Sequence, residues 1–195
     1  MVFQILKMAA GLGTILALTA CVAHTGKLPS ELHAKADING PGIKGEAWLE
    51  QGHEGRVRIK MKVTGDATSK LTPGLHGVHI HETGDCTPPF TAAKGHYDGN
   101  IDPAINPGAN VSPGLENHPY HLGDLTNLEV DANRNGTLYM VSSRVTLTPG
   151  LTTVFDGDNS AFVIHEFEDK YLPPPPNPNG PGGPRIACGV IVKVP

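Results

Sequence analysis

Apolar and polar residues alternate along much of this chain with the two-residue period of a β-strand. The clearest segments are 32–38, 43–49 and 57–63, and the third alternates apolar with basic side chains almost throughout. Alternation of this kind predicts strands with one face in a core and the other in water. Weaker strand patterns follow at 127–130, 137–141, 144–147, 160–166 and 186–194, and Asn135-Gly136 is typical of a hairpin turn.

A histidine-rich segment, 75–82, is the fourth predicted strand. Val78 and Ile80 alternate with His79 and His81, so a strand would place both imidazoles on one face and both aliphatic side chains in the core. Two imidazoles on one face are the beginning of a metal site, and imidazole suits copper, zinc, iron or nickel. A surface strand with incidental histidines is the alternative.

Two long segments, 82–124 and 169–185, lack the strand period and are rich in Gly, Pro and Asn. Long irregular segments inside a compact domain usually carry function. The second contains a proline run at 173–178, which favours a stiff extended backbone. About eight strands, two long loops and no convincing helix predict an all-β antiparallel sandwich or barrel in one domain, 31–195.

The amino terminus has the pattern of an export signal. Residues 1–7 carry one positive charge, and 8–20 form an uncharged apolar run that is short for a membrane span. The run ends in Leu-Thr-Ala-Cys21, which resembles the lipobox of bacterial lipoproteins; an ordinary secretory signal with an incidental Cys21 is the alternative. We expect a signal peptide at 1–20, a lipid anchor on Cys21, a tether at 22–30, and a location in the periplasm or cell envelope.

Charge, cysteine content and histidine content limit the partners and the chemistry that we expect. A net charge of −4 gives no reason to expect nucleic acid as a partner. Three cysteines are an odd number for an exported protein, and assigning Cys21 to a lipid leaves Cys86 and Cys188 as a pair. A disulfide between them is plausible in an oxidising compartment. Ten histidines point to metal chemistry.

Several short motifs occur in an order that carries a family resemblance. They are His79-Ile80-His81-Glu82, Gly84-Asp85-Cys86, Gly95-His96-Tyr97, His121-Leu122-Gly123-Asp124, Val163-Ile164-His165-Glu166 and Arg185-Ile186-Ala187-Cys188. The series resembles the copper/zinc superoxide dismutase family over about residues 32–192, and the exported bacterial branch is the nearer match.

The resemblance implies a fold, an activity and a set of roles. The fold would be a Greek-key antiparallel β-sandwich or flattened barrel, and the substrate would be superoxide, disproportionated by a redox-cycling copper ion. Arg185 would attract the anion, His96 would bridge copper to zinc, and His76 would hold loop backbone. The implied copper ligands are His79, His81, His96 and His165, and the implied disulfide is Cys86–Cys188.

Alternatives remain for both activity and assembly. A non-enzymatic copper-binding or copper-buffering protein with the same fold is the second hypothesis. The family resemblance allows a monomer or a homodimer, with membrane contact through the lipid anchor alone.

The zinc site departs from the family pattern. His96, His121 and Asp124 match three of its ligands, but Pro113 stands where the remaining histidine is expected. Proline offers zinc no side-chain ligand, so His118 or water would have to complete the site; a weak or empty site with copper alone is the alternative. Asp169 matches the aspartate that links the two ligand sets.

The second loop departs as well. In many family members it carries charged residues, but here it is mostly proline, glycine and asparagine. We therefore expect attraction of superoxide to depend more heavily on Arg185.

Overall fold

The computed structural model describes residues 31–99, 118–172 and 181–195. The predicted export signal, the Cys21 anchor, the tether, Pro113 and most of the proline-rich segment lie outside the described residues. Within the described ranges, no helix is long and apolar enough to cross a membrane.

The described part of the chain forms ten β-strands and a single 3-10 turn, Thr91–Ala93. All strand pairings are antiparallel, and the sheet order is β4-β6-β7-β3-β2-β1-β9-β8-β5, with β10 beside β1. The all-β antiparallel sandwich or barrel predicted from the alternation is confirmed, and the sheet is nearly closed. The strands are β1 Leu32–Gly40, β2 Ile43–Gln51, β3 Val57–Gly65, β4 Gly74–His76, β5 Val78–His81, β6 Leu128–Val130, β7 Asn135–Ser142, β8 Ala161–His165, β9 Arg185–Val190 and β10 Val192–Val194.

The alternating segments supply the core as expected. On β3, Ile59, Met61 and Val63 are buried, while Lys60 and Lys62 between them are exposed. Removing such side chains from water is the main favourable contribution to folding, at about 1.5–3 kcal/mol for each large aliphatic side chain. This core fixes the strands that carry the histidines.

The predicted Asn135-Gly136 turn is wrong. Both residues lie at the start of β7, and the turn precedes them. The Asp131 carboxylate accepts backbone N–H groups from Asn133 (2.8 Å) and Asn135 (2.9 Å), and Arg134 takes a left-handed conformation with φ 61°. An aspartate that binds the backbone two residues on is itself a turn signal, and it outweighs the Asn-Gly pair here.

The predicted strand at 144–147 is also wrong, apart from one isolated bridge between Thr146 and Thr153. The side-chain oxygen of Gln51 accepts the backbone N–H groups of Leu147 (2.5 Å) and Thr148 (3.2 Å). The alternation there buries Val145 and Leu147 without a neighbouring strand. Two other predicted strands are each divided by one residue, at Gly77 between β4 and β5 and at Ile191 between β9 and β10.

Candidate metal centre

Strands β5 and β8 bring three histidines together. They pair antiparallel with His79 opposite Val163, and His165 ends β8 beside them. The rings of His79 and His165 lie 4.9 Å apart, centroid to centroid. His79 and His81 are fully buried, and so are Val78 and Ile80 in the core, which agrees with the predicted division of the strand into two faces.

The loop that follows β5 adds a fourth histidine to this group. His81 and His96 form an isolated antiparallel bridge, and the His96 ring stacks on His79 at 4.0 Å. Each member places one ligand nitrogen within 4.8 Å of those of all the others; the members are His79, His81, His96 and His165. We call these four the copper group, after the metal that the family resemblance implies for them.

Unpaired nitrogens inside the copper group test whether a metal fits there. His79 Nδ1, His81 Nε2 and His165 Nε2 are buried without a hydrogen-bond partner. A buried polar atom without a partner costs about 1–3 kcal/mol, and three in one group indicate a missing common partner. Copper is a suitable partner because it accepts imidazole nitrogen readily.

The second nitrogen of each of these rings is held by the protein. His79 Nε2 lies 2.9 Å from Asp169 Oδ2, His81 Nδ1 lies 2.9 Å from the Lys94 carbonyl oxygen, and His165 Nδ1 lies 2.8 Å from the Gly183 carbonyl oxygen. A ring N–H donated to such an acceptor fixes the tautomer and leaves a lone pair on the other nitrogen. The free lone pairs are therefore those of the unpaired atoms.

Burial keeps these imidazoles neutral. It lowers the pKa of His79 and His81 well below the usual value, and it lowers the pKa of His165 to about 3. The positive charge of a neighbouring protonated His96 would depress all three pKa values further. Neutral imidazole is the form that binds a metal.

A second group surrounds the carboxylate of Asp124. His96 Nδ1 lies 2.5 Å and His118 Nδ1 3.2 Å from Asp124 Oδ1, and His121 Nδ1 lies 3.2 Å from Asp124 Oδ2. Tetrahedral zinc with nitrogen ligands at 2.0–2.1 Å would space its ligand atoms by roughly 3.3 Å. We call His96, His118, His121 and Asp124 the zinc group, again after the predicted metal.

The sequence did not decide whether His118 completes the zinc site. In the structure His118 lies against Asp124, within the zinc group. It is 1% exposed, its Nδ1 lies 3.2 Å from Asp124 Oδ1 without the geometry of a hydrogen bond, and its Nε2 lies 2.9 Å from Asp169 Oδ1. Its Nδ1 therefore faces Asp124 while its Nε2 is held by Asp169. His79, His96, His118 and Asp124 also place ligand atoms within 4.8 Å of one another, so the two groups adjoin through His79 and His96.

The charges of the zinc group are strongly coupled. Burial raises the pKa of Asp124, but the three histidines around it outweigh burial and hold that pKa far below its usual range. Burial likewise lowers the pKa of His118, but the carboxylates of Asp124 and Asp169 outweigh it and raise the pKa to about 9. A carboxylate surrounded by three imidazoles suits a divalent cation, whose binding would displace the proton from His118.

His76 has a different role from the other buried histidines. Its Nδ1 lies 2.8 Å from the His165 carbonyl oxygen, and its Nε2 lies 2.8 Å from the Thr72 carbonyl oxygen. With both nitrogens against backbone oxygens, His76 holds loop backbone, as the resemblance implied.

Arg185 and the disulfide residue Cys188 are both on β9, next to the strand that carries His165. Cys86 and Cys188 form the predicted disulfide, which is confirmed. The guanidinium of Arg185 donates to the carbonyl oxygens of Phe90 (2.6 Å) and Lys94 (2.5 Å). The Lys94 oxygen also contacts His81, and the charge of Arg185 contributes to the lowered pKa of His81 and His165. Arg185 therefore lies close enough to act electrostatically on the copper group.

Sequence reasoning missed the backbone oxygens that orient the ligands. Lys94 carried no signal, because a carbonyl oxygen has none in a sequence. The glycine pair Gly182-Gly183 was a weak signal for the Gly183 oxygen. Both glycines take positive φ, 103° and 72°. A Cβ on Gly182 would lie 2.7 Å from His165 Cβ, so this glycine allows close approach of the backbone to a ligand histidine.

Comparisons with known proteins agree with this geometry. The family model described as copper/zinc superoxide dismutase matches residues 43–191. The chain is 37% identical to the Cu-Zn superoxide dismutase of Brucella abortus over 128 residues, which cover 63% of this chain and 66% of that protein. It is 36% identical to Cu-Zn superoxide dismutase 1 of Aquifex aeolicus over 169 residues, 84% of this chain and 90% of the relative. The crystal structure of the clock protein EA4 superposes with a TM-score of 0.63 at 26% identity, covering 88% of this chain and 99% of that one.

Proposed function

The chain belongs to the copper/zinc superoxide dismutase family, and we propose that it converts two superoxide ions and two protons into dioxygen and hydrogen peroxide. The observation that carries the proposal is the copper group, with its three buried and unpaired imidazole nitrogens. Copper bound there would supply the one-electron chemistry, since it changes oxidation state readily in a nitrogen site.

The protein's own contribution begins with ligand orientation. Asp169 and the carbonyl oxygens of Lys94 and Gly183 each hold one ligand ring. Such outer contacts fix the tautomer and direction of a ligand histidine and commonly change metal affinity 10–100-fold when removed. Three of the four imidazoles are therefore arranged before any metal binds.

Arg185 supplies attraction for the substrate. Its guanidinium is held in place by two carbonyl oxygens beside the copper group and stays charged at neutral pH. A fixed positive charge near a metal attracts and orients a small anion such as superoxide.

The zinc group is proposed to hold zinc through His96, His118, His121 and Asp124. His118 would replace the histidine that the family has at the position of Pro113. Its buried Nδ1 lies 3.2 Å from Asp124 without the geometry of a hydrogen bond, which supports this assignment. His96 would be shared with the copper group, which its membership of both sets of close ligand atoms supports. Zinc in such a closed site has a structural role.

Metal analysis tests the zinc proposal. Metal-free protein is reconstituted with excess copper and zinc, dialysed and measured by atomic emission. We expect one equivalent of each metal in the wild type and loss of zinc in His118→Gln. The matched control is His53→Gln, which removes an exposed imidazole. Copper without zinc in the wild type would contradict the two-metal site.

Activity measurement separates the enzyme from a copper-buffering protein. Copper-loaded wild type is expected to remove riboflavin-generated superoxide, His165→Gln to lose most of that activity, and His53→Gln to retain it. Stoichiometric copper binding with no activity in the wild type would favour the buffering hypothesis instead.

We propose further that the protein is exported and lipid-anchored through Cys21 in the cell envelope. The support is the apolar run that ends in Leu-Thr-Ala-Cys21. Cells that express the full chain are labelled with radioactive palmitate. Label on the wild type and none on Cys21→Ser is expected, whereas an unlabelled wild type would contradict the anchor.

A further inference from the structure

Asp169 joins the copper and zinc groups, and a residue outside both of them fixes its backbone. Its Oδ2 lies 2.9 Å from His79 Nε2, and its Oδ1 lies 2.9 Å from His118 Nε2. The side chain of Asn127 accepts the Asp169 N–H and donates to the Asp169 carbonyl oxygen, both at 2.9 Å. Asp169 is therefore anchored by its main chain while its carboxylate reaches both ligand groups.

Tyr171 adds a second set of contacts to the same aspartate. Its backbone N–H donates to Asp169 Oδ1 at 2.8 Å, the oxygen that also meets His118. Its φ of 54° is left-handed, which is uncommon for a residue with a side chain. This turn brings the phenol back over the segment that follows Asp124.

The phenol hydroxyl closes the network. It accepts the backbone N–H of Asn127 at 2.8 Å and donates to the Leu125 carbonyl oxygen at 3.3 Å. Leu125 directly follows the zinc-group carboxylate, and Asn127 holds Asp169. The hydroxyl thus ties the backbone next to Asp124 to the backbone next to Asp169.

The ring of Tyr171 also lies against His118. The two rings are nearly parallel, 16° apart, with centroids 6.5 Å apart. Tyr171 is 40% exposed and His118 is 1% exposed, so the tyrosine is the partner that faces water. A ring at this place limits both the rotation of His118 and the access of solvent to it.

We infer that Tyr171 is a positioning residue for the zinc group. It touches no ligand atom that would face the metal, and it acts through Asp169 and His118 to keep His118 Nδ1 directed at Asp124. The inference rests on the proposed zinc site.

Zinc affinity of two Tyr171 variants tests the inference. Tyr171→Phe keeps the ring and removes only the hydroxyl contacts, and Tyr171→Leu removes the ring as well. The matched control is Tyr139→Phe, on the outer face of β7 with a 64% exposed ring. Copper-loaded protein with the disulfide intact is titrated with zinc against a chromophoric chelator, and cobalt(II) absorption reports the ligand geometry.

We expect zinc to bind about 10-fold more weakly to Tyr171→Phe and up to about 100-fold more weakly to Tyr171→Leu, with an altered cobalt spectrum in both. Tyr139→Phe should match the wild type. Wild-type zinc affinity and cobalt spectrum in both Tyr171 variants would overturn the inference, whatever their unfolding temperatures. A wild type that takes up copper but neither zinc nor cobalt would overturn the zinc assignment and the inference together.

Discussion

Three of the four buried histidines of the copper group use their two ring nitrogens for different purposes. In His79, His81 and His165 one nitrogen contacts an oxygen of the protein and the other is unpaired. Alternation in the sequence predicted that His79 and His81 share a face, because side chains two residues apart on a strand point the same way. It could not predict which nitrogen is free, since that depends on the Asp169 carboxylate and on the carbonyl oxygens of Lys94 and Gly183.

Replacement of Arg185 by alanine tests attraction at the scale of one residue. The side chain is held beside the copper group by Phe90 and Lys94, and the field it adds there is lost in Arg185→Ala. We expect kcat/KM for superoxide to fall by about tenfold or more and to depend less on ionic strength; steering of this size is known for charged clefts, with superoxide dismutases among the examples.

The control for this measurement is Arg56→Ala, which removes the same charge from an exposed position between β2 and β3. It should leave both the rate and its salt dependence nearly unchanged. Equal behaviour of the two variants would show that net charge, and not the position of Arg185, governs the rate.

At the scale of elements, three backbone segments meet at Ile80. Its N–H donates to the Gly123 carbonyl oxygen (2.9 Å), its carbonyl oxygen accepts the Tyr97 N–H (2.8 Å), and Gly123 N–H donates to the Tyr97 carbonyl oxygen (2.8 Å). These segments carry His79 and His81, His96, and His121 with Asp124. The sequence indicated each motif but not this junction, because contacts between distant segments leave no local pattern.

Gly123→Ala tests the junction. A Cβ at this position would lie 2.2 Å from the Ile80 carbonyl oxygen, so the backbone must move. We expect a loss of about 1–3 kcal/mol in the free energy of unfolding and weaker zinc binding, measured by urea unfolding and zinc titration. Gly157→Ala, where the added Cβ meets nothing within 4 Å, should change stability by about 0.5 kcal/mol at most; a similar loss in both variants would contradict the steric explanation.

The disulfide connects the loop after β5 to β9 across 102 residues of sequence. Closing a loop of this length is worth at most about 4–5 kcal/mol in a chain-entropy model. Double replacement of Cys86 and Cys188 by serine should therefore lower the urea midpoint substantially, and it should also loosen Phe90 and Lys94, which hold Arg185. Cys21→Ser is the control, and an unchanged midpoint in the double variant would refute the stabilising role.

At the scale of the whole molecule, the sequence predicted the fold better than the details of its connections. The strands with regular alternation, β1 to β3, were placed within two residues of their observed ends. The strand predicted at 144–147 is absent because the side-chain oxygen of Gln51, and not a neighbouring strand, accepts the backbone N–H groups of Leu147 and Thr148. The sequence allowed His118 or water to complete the zinc site, or a weak or empty site, because the contact that holds His118, with Asp169, leaves no local pattern.

The metal-free protein should be most stable near neutral pH because its buried histidines titrate in opposite directions. His79, His81 and His165 have lowered pKa values in the folded state, about 3 for His165, against 6.5 for an ordinary histidine. The unfolded chain therefore binds more protons below pH 6.5, and stability falls as the pH decreases from 6.5 towards 3. The lowered pKa of Asp124 adds to the loss at the acidic end.

His118 acts with the opposite sign. Its folded pKa of about 9 lies above the ordinary 6.5, so its contribution is complete below pH 6.5 and is lost as the pH rises through 9. Thermal unfolding of metal-free protein from pH 3 to 10 should give a maximum near pH 6.5–7, with a steep acidic side from several histidines and a shallow alkaline side from one. His118→Gln should remove the alkaline decline and keep the acidic one. An alkaline decline that persists in this variant would show that another group is responsible for it.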